Sequence, residues 1–220
     1  MNSIIIGNGE IGKSLHEIIS GDIIDKTDKI CQYDVIHICF PYSDEFVSEV
    51  KRYQELFKPQ YTVIHSTVPV GTSRKCNAIH SPVIGMHPYL AKSIKTFTKF
   101  LGGKNAGVLA NYFRKFNIKV YITDKSETTE LMKLLCTARY GMDIEFTKDV
   151  KRQCKKYKVP FELFTLWTDN YNNGYTELGQ KQFIRPNLIP IMEKIGGHCV
   201  IPNTQLIKTK FTKFLDKANK

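Results

Sequence analysis

The feature that most limits what this chain can fold into lies at its start, where the β-branched run Ser3-Ile4-Ile5-Ile6 passes directly into Gly7-Asn8-Gly9-Glu10-Ile11-Gly12. Beyond the last glycine, Leu15, Ile18 and Ile19 recur at helical spacing, so the segment reads as strand, turn and helix. Each glycine has its own task in such a turn. The first admits a tight bend, the second leaves room for a pyrophosphate to reach the backbone, and the third lets helix and strand pack closely. Free N–H groups and a partial positive charge at the helix start suit phosphate. The turn predicts a dinucleotide site formed by Gly7, Asn8, Gly9, Glu10, Ile11 and Gly12.

A second short strand over 22–25 ends in Asp25, thirteen residues past Gly12. A carboxylate there can accept hydrogen bonds from an adenosine ribose, which favours NAD. Lys26 beside it can instead pair with a 2′-phosphate, so NADP stays open, and Asp25 can also serve as a plain turn cap. Further strands are expected over 35–40, 61–65, 83–86 and 119–122, with helical patterns over 44–57 and 104–116 between them. Strands alternating with helices specify an α/β fold, a doubly wound Rossmann sheet with its ligand over the carboxyl ends of the strands. Phe40, Pro41, Ser66 and Thr67 fall on that edge, whereas His37 and His65 read as strand residues and not as ligands.

A long helix over 128–157 follows, then a helical stretch over 161–173 with Phe161, Phe164, Trp167 and Tyr171 at three- and four-residue steps, a core stripe or a dimer face. The predicted organisation is a Rossmann domain over 1–124 and a smaller all-helical domain over 125–220. Six dispersed cysteines without a CxxC pair argue for reduced thiols and no structural metal. A net charge of +11 is spread along the chain, which reads as a lysine-rich solvated surface; no recognition motif supports a nucleic-acid role. No segment approaches the roughly 20 apolar residues of a membrane span. The N-terminus also lacks the features of a secretory signal, so a cytoplasmic location is expected.

The stretch Ile64-His65-Ser66-Thr67-Val68-Pro69-Val70-Gly71-Thr72 resembles the STVPVGT signature of the UDP-glucose and UDP-N-acetylmannosamine 6-dehydrogenase family, within the 6-phosphogluconate dehydrogenase-like Rossmann superfamily. The strand 34–41, the glycine turn, Glu130-Leu131-Met132-Lys133 as the family's ExxK helix and Ile195-Gly196-Gly197-His198-Cys199 as its GGHC turn extend the resemblance along the chain. It implies an NAD-dependent oxidation of a primary alcohol by two hydride transfers, with Cys199 carrying a thiohemiacetal and then a thioester. It further implies that Lys133 stabilises oxyanion charge, that the substrate is a small molecule such as a nucleotide sugar, and that the long helix forms a homodimer. A thiolate is both nucleophile and leaving group, which makes that route workable, and a helix expected to begin near Asn203-Thr204 would favour the thiolate of Cys199.

Several positions depart from the pattern. Thr137 stands where the family has an asparagine, and Asn203, where it has an aspartate, cannot take a proton from water. His87-Pro88-Tyr89-Leu90 lacks the glutamate of the family's PEFL turn, and its His-Pro also resembles the prephenate dehydrogenase branch. The resemblance stops before the family's second nucleotide-like domain. His87, Arg185, Gly196 and Gly197 are the candidate substrate residues, Arg185 because a guanidinium suits a carboxylate or phosphate. A two-electron dehydrogenase of a small acid, or a protein that binds NAD(P) without turnover, are the competing readings.

Overall fold

The residues Ser3–Ile6 form β1, and all four are buried, as a central parallel strand covered on both faces requires. The computed structural model describes residues 1–27, 30–197 and 199–219, so His198 of the GGHC turn lies outside the described residues. Two compact units are present, Met1–Leu134 and Leu135–Lys220.

In the first unit, α1 (Glu10–Ile19), β2 (Asp22–Ile24), β3 (Val35–Ile38), α2 (Phe46–Phe57), β4 (Tyr61–Ile64) and α3 (Thr72–Lys75) follow β1. The unit continues with β5 (Ile79–His80), α4 (Leu90–Thr96), β6 (Lys99–Gly102), α5 (Ala106–Arg114), β7 (Val120–Thr123) and the start of α6 (Ser126–Tyr157). The strands make one sheet in the order β2-β1-β3-β4-β5-β6-β7, parallel except between β5 and β6. Alternation along β1 divides the core: Ile5 packs with Leu15, Val63, Leu109 and Phe113 on one face, and Ile4 and Ile6 pack with Phe46, Val50, Tyr53 and Phe57 on the other.

The expected strand over 83–86 is not formed; β5 lies earlier, at Ile79–His80. Pro82, which has no N–H to donate to a ladder, stands between the two segments. The sequence reading also passed over α3, α4 and β6, and β6 reverses direction against β5.

The second unit holds the rest of α6, α7 (Phe161–Glu177), α8 (Val200–Thr204) and α9 (Lys210–Ala218), and Ile144 of α6, Ile195, Val200 of α8 and Leu215 of α9 form a buried cluster in it. A β-carbon at Gly141 would lie 2.8 Å from Val200 Cγ1 and 3.0 Å from Leu215 Cδ1, so glycine there admits both side chains against α6. Where one helix is expected to begin near Asn203-Thr204, two are formed. Thr209 starts the second one with a capping box, its hydroxyl accepting from Thr212 N–H at 3.1 Å while Thr209 N–H donates to Thr212 Oγ1 at 2.9 Å. Among the described residues no helix is long and apolar enough to cross a membrane.

Candidate active site

The chain leaves β1 for β2 on one side and then crosses to β3 on the other, so β1 and β3 flank the point where strand order reverses. Parallel sheets open a crevice at the carboxyl ends of such strands. The glycine turn occupies that place. Gly7 has φ +107, and a β-carbon on it would lie 2.8 Å from Phe40 N. A β-carbon on Gly12 would sit 1.9 Å from the Gly7 carbonyl oxygen, a backbone atom that cannot move aside. Around Gly9, by contrast, no atom lies within 4 Å of where a β-carbon would be. The three glycines thus divide into bend, open approach and close packing, and α1 begins at Glu10 with no side-chain cap over its first N–H groups. Within that first turn Ile11 packs against the core. These features fit a pyrophosphate.

The other sequence-predicted residues of this unit fall along the same edge. Asp25, just past β2, accepts from Asn8 N–H at 2.6 Å, which ties the turn to the next strand end, with Lys26 exposed beside it. Phe40 and Pro41 follow β3, and Ser66 and Thr67 follow β4; the Ser66 hydroxyl donates to the Phe40 carbonyl at 2.5 Å and joins the two ends. Past β5, the Val83 carbonyl accepts from Lys133 Nζ at 2.9 Å. His87 returns toward the start of α1, its Nδ1 3.1 Å from Glu10 Oε1.

Glu130 and His80 fix this edge from below. The buried Glu130 carboxylate accepts from Gly71 N–H at 2.6 Å and from Ser73 N–H at 2.7 Å, clamping the turn that ends the Ser66–Thr72 stretch onto α6. Both parts of the ExxK pattern therefore engage segments that follow strand ends, the acid the turn after β4 and the lysine Val83 after β5. Burial draws His80 down to about 3, so it carries one ring proton. Its Nε2–H donates to the Ser66 carbonyl at 3.2 Å, and its Nδ1 lies 2.8 Å from Thr129 Oγ1. The sequence reading missed His80 and the buried Lys99; a histidine or lysine flanking a short apolar run was the signal available.

In the second unit, Cys199 is exposed at the N-cap of α8, nearer the helix than expected, and its carbonyl accepts from Asn203 N–H at 3.3 Å. Gly197 has φ +79, which only glycine adopts without strain, and Gly196 is open. Thr137 is half-buried on α6. Arg185 stands apart from these residues: its guanidinium stacks over Tyr171 at 4.0 Å, and its N–H donates to Asn172 Oδ1 at 2.9 Å.

Two grooves mark the sheet-bearing unit. One, of about 450 Å³, lies beside Val83 between the 84–89 loop and α4, walled by Ile84, Met86, Tyr89 and Phe97. The other, of about 700 Å³, lies at the amino ends of β4 and β5, the edge opposite the glycine turn. Its charges are mixed, Lys104 and Lys125 against Asp124, and Arg74 paired with Glu127 at 2.7 Å. Among the described residues no His, Cys, Asp or Glu cluster is placed to hold a metal ion.

Neither a family model nor a curated protein matches this sequence. Solved structures do. A UDP-D-ManNAc dehydrogenase from Pyrococcus horikoshii superposes with TM-score 0.77 at 15% identity, over 100% of this chain and 68% of its own. A UDP-glucose dehydrogenase from Pyrobaculum islandicum gives 0.73 at 12% identity, over 100% of this chain and 68% of its own. For the Mycobacterium tuberculosis 3-hydroxyisobutyrate dehydrogenase the values are 0.68 and 11%, over 99% of this chain and 92% of its own. The chain has the fold of these dehydrogenases. At such identities the likeness concerns architecture, a Rossmann sheet followed by helices.

Proposed function

We propose that the chain is an NAD(P)-dependent dehydrogenase that removes hydride from an alcohol carbon of a small molecule. One observation carries the reading: the open glycine turn and Lys133 sit at the carboxyl ends of β1 and β5 in one sheet, with Phe40, Ser66 and Thr67 on the strand ends between them. The names of the three superposing proteins support it. Gly7 to Gly12 would hold the pyrophosphate, and Asp25 would accept from a ribose hydroxyl and repel a 2′-phosphate, which favours NAD over NADP. When bound, the oxidised nicotinamide supplies the hydride acceptor. The Lys133 ammonium would stabilise the alkoxide formed when the substrate hydroxyl gives its proton to solvent, the species from which hydride then departs to leave a carbonyl.

The substrate is a nucleotide sugar or a smaller hydroxy acid. The apolar groove beside Val83 favours the smaller one, because its walls offer a sugar few partners. Cys199, exposed and framed by Gly197, would carry the thioester if the oxidation runs to the acid, with Thr137 and Asn203 in place of the family's amide and acid. Six free cysteines suit a reducing, cytoplasmic compartment.

The test pairs binding with turnover. Gly9→Ala should fold as the parent does and bind NADH at least about tenfold more weakly, since its methyl enters the space kept for phosphate. Lys133→Met should retain NADH binding and lose turnover across a panel of nucleotide sugars and hydroxy acids, and Cys199→Ala should stop the reaction at the aldehyde if the thioester route operates. Unchanged NADH affinity in Gly9→Ala, or undiminished turnover in Lys133→Met, removes the reading.

We further infer a homodimer through the helical unit. Leu163, Leu166 and Trp167 share one face of α7 and are 51%, 65% and 68% exposed, an apolar stripe that a second copy would cover. Trp167→Glu should convert a dimer to a monomer in sedimentation equilibrium; a parent protein that is already monomeric at micromolar concentration refutes the interface.

A further inference from the structure

Lys99, at the start of β6, is 4% exposed, and among the described residues no carboxylate lies within ion-pair distance of it. The groups facing it are His37 and Cys39 from β3 and its end, His65 after β4, His80 of β5, and Phe113 from α5, with Tyr112 of α5 bonded to His37. Its Nζ is 3.3 Å from His65 Nδ1 and 3.3 Å from the Ser81 carbonyl oxygen, while His65 Nδ1 is 2.8 Å from that same oxygen. A chain of polar atoms runs on from there. His65 Nε2 is 3.0 Å from His37 Nδ1, His37 Nε2 is 3.4 Å from the Tyr112 hydroxyl, and that hydroxyl is 3.2 Å from Ser3 Oγ.

Burial holds His37 and His65 neutral, so each ring carries one proton and each link has one donor. Two orders run through the chain from His65 to Ser3, and the first alone also places a hydrogen in the 2.8 Å contact between His65 Nδ1 and the Ser81 carbonyl oxygen. In the first, His65 Nδ1–H donates to the Ser81 carbonyl, His37 Nδ1–H to His65 Nε2, the Tyr112 hydroxyl to His37 Nε2, and Ser3 to Tyr112. In the second every donor reverses: Lys99 donates to His65 Nδ1, His65 Nε2–H to His37 Nδ1, His37 Nε2–H to Tyr112, and Tyr112 to Ser3. An ammonium has donors and no acceptor, so its approach to His65 Nδ1 favours the second order, in which it donates to that nitrogen and to the Ser81 carbonyl oxygen; a neutral amine accepts a hydrogen bond and permits the first. Passage from the second to the first releases one proton to solvent overall and leaves both histidines neutral.

We propose that Lys99 is a positioning residue for the edge assigned to the cofactor: its protonation state selects which nitrogen of His65 carries the proton, and so how the carboxyl ends of β4 and β5 are tied together. In one state His65 bonds Ser81 directly; in the other Lys99 bridges the two. His65 leads into Ser66 and Thr67, and Ser81 leads toward Val83, the partner of Lys133, so both strands of the proposed site hang from this link. The importance of that edge rests on the dehydrogenase reading, but the proton order does not. Burial without a counter-charge draws the ammonium down to about 7, against a smaller opposing pull from Cys39, which places the change within reach of mild buffers.

Imidazole ¹⁵N shifts of the whole protein, followed from about pH 6 to about pH 9, test this directly. The His65 proton should move from Nε2 to Nδ1 with a midpoint near 7, and the amide resonances of Ser66, Thr67 and Val83 should shift with the same midpoint. Lys99→Met should hold the proton on Nδ1 throughout. A parent His65 that keeps one tautomer across the range overturns the proposal, as does a change of tautomer that survives Lys99→Met; the parent titration decides even if the variant does not fold. NADH titrations at the two extremes should differ by about fivefold in the parent and agree in the variant. A tautomer change with equal NADH affinity at both extremes refutes the positioning role. No NADH binding at either pH, with the tautomer and amide changes intact, removes the cofactor reading and leaves the tie between strand ends supported.

Discussion

Glu130→Ala should destabilise the protein by about 3 to 6 kcal/mol in urea unfolding, the largest loss expected from any single side chain at the edge described above. The carboxylate is buried and accepts from two backbone N–H groups, Gly71 at 2.6 Å and Ser73 at 2.7 Å. Each is a charge-assisted bond to a donor that alanine would leave without its acceptor, and such bonds contribute about 1.5 to 3 kcal/mol apiece. Glu130→Gln separates charge from geometry. A carboxamide offers one oxygen to two donors and points an NH₂ at the other, so roughly half the loss should remain. The functional readout follows from position, since the clamped turn closes the segment that carries Ser66 and Thr67. NADH affinity should fall in Glu130→Gln even at temperatures where the variant is fully folded. An alanine variant within about 1 kcal/mol of the parent would mean that water or another group satisfies both N–H groups, and the clamp would not be a structural determinant.

How much of this could be read from the chain differs residue by residue. The glycine turn was legible because its constraints are covalent and local: a positive φ at Gly7 and a missing β-carbon at Gly12 are needed whatever surrounds them. His37 was legible as a strand residue, His65 falls one residue past the end of β4, and both are buried. Their proton chain was not, because its links join β3, β4, β6 and α5, and no spacing in one segment encodes them. Glu130 was visible as half of a helix pattern, yet its partners lie 57 and 59 residues away. The strand expected at 83–86 failed because apolar content alone does not reveal that Pro82 ends the ladder. Strand β6 escaped because it opens on a lysine, a residue that sequence reasoning places in water.

Acidification should unfold the protein cooperatively, with stability falling from about pH 7 downward as the histidines of the unfolded chain begin to charge. Burial draws both His37 and His80 down to about 3, and His65 well below its ordinary value. An unfolded chain binds protons at these sites near pH 6.5, whereas the folded chain does not until near 3, so across that window the unfolded state holds more protons. Stability therefore rises with pH through the window and is lost as pH falls. Between pH 6.5 and pH 5 each site costs about 1.6 kcal/mol, so His37 and His80 together remove about 3, against a total of about 5 to 15 for a typical domain. Lys99 acts with the same sign at higher pH. With its ammonium drawn down to about 7, the unfolded chain holds the extra proton from there to the ordinary lysine range, and stability keeps rising above neutrality. Denaturant titrations at pH 8, 7, 6 and 5 should give a monotonic series, with far-ultraviolet circular dichroism lost by about pH 4. His80→Gln, which retains an N–H for the Ser66 carbonyl, should flatten the acid limb while leaving the rise above pH 7 intact. Equal stability at pH 7 and pH 5 would show that the three rings are hydrated in solution, and the buried polar layer beneath the cofactor edge would then have to be abandoned.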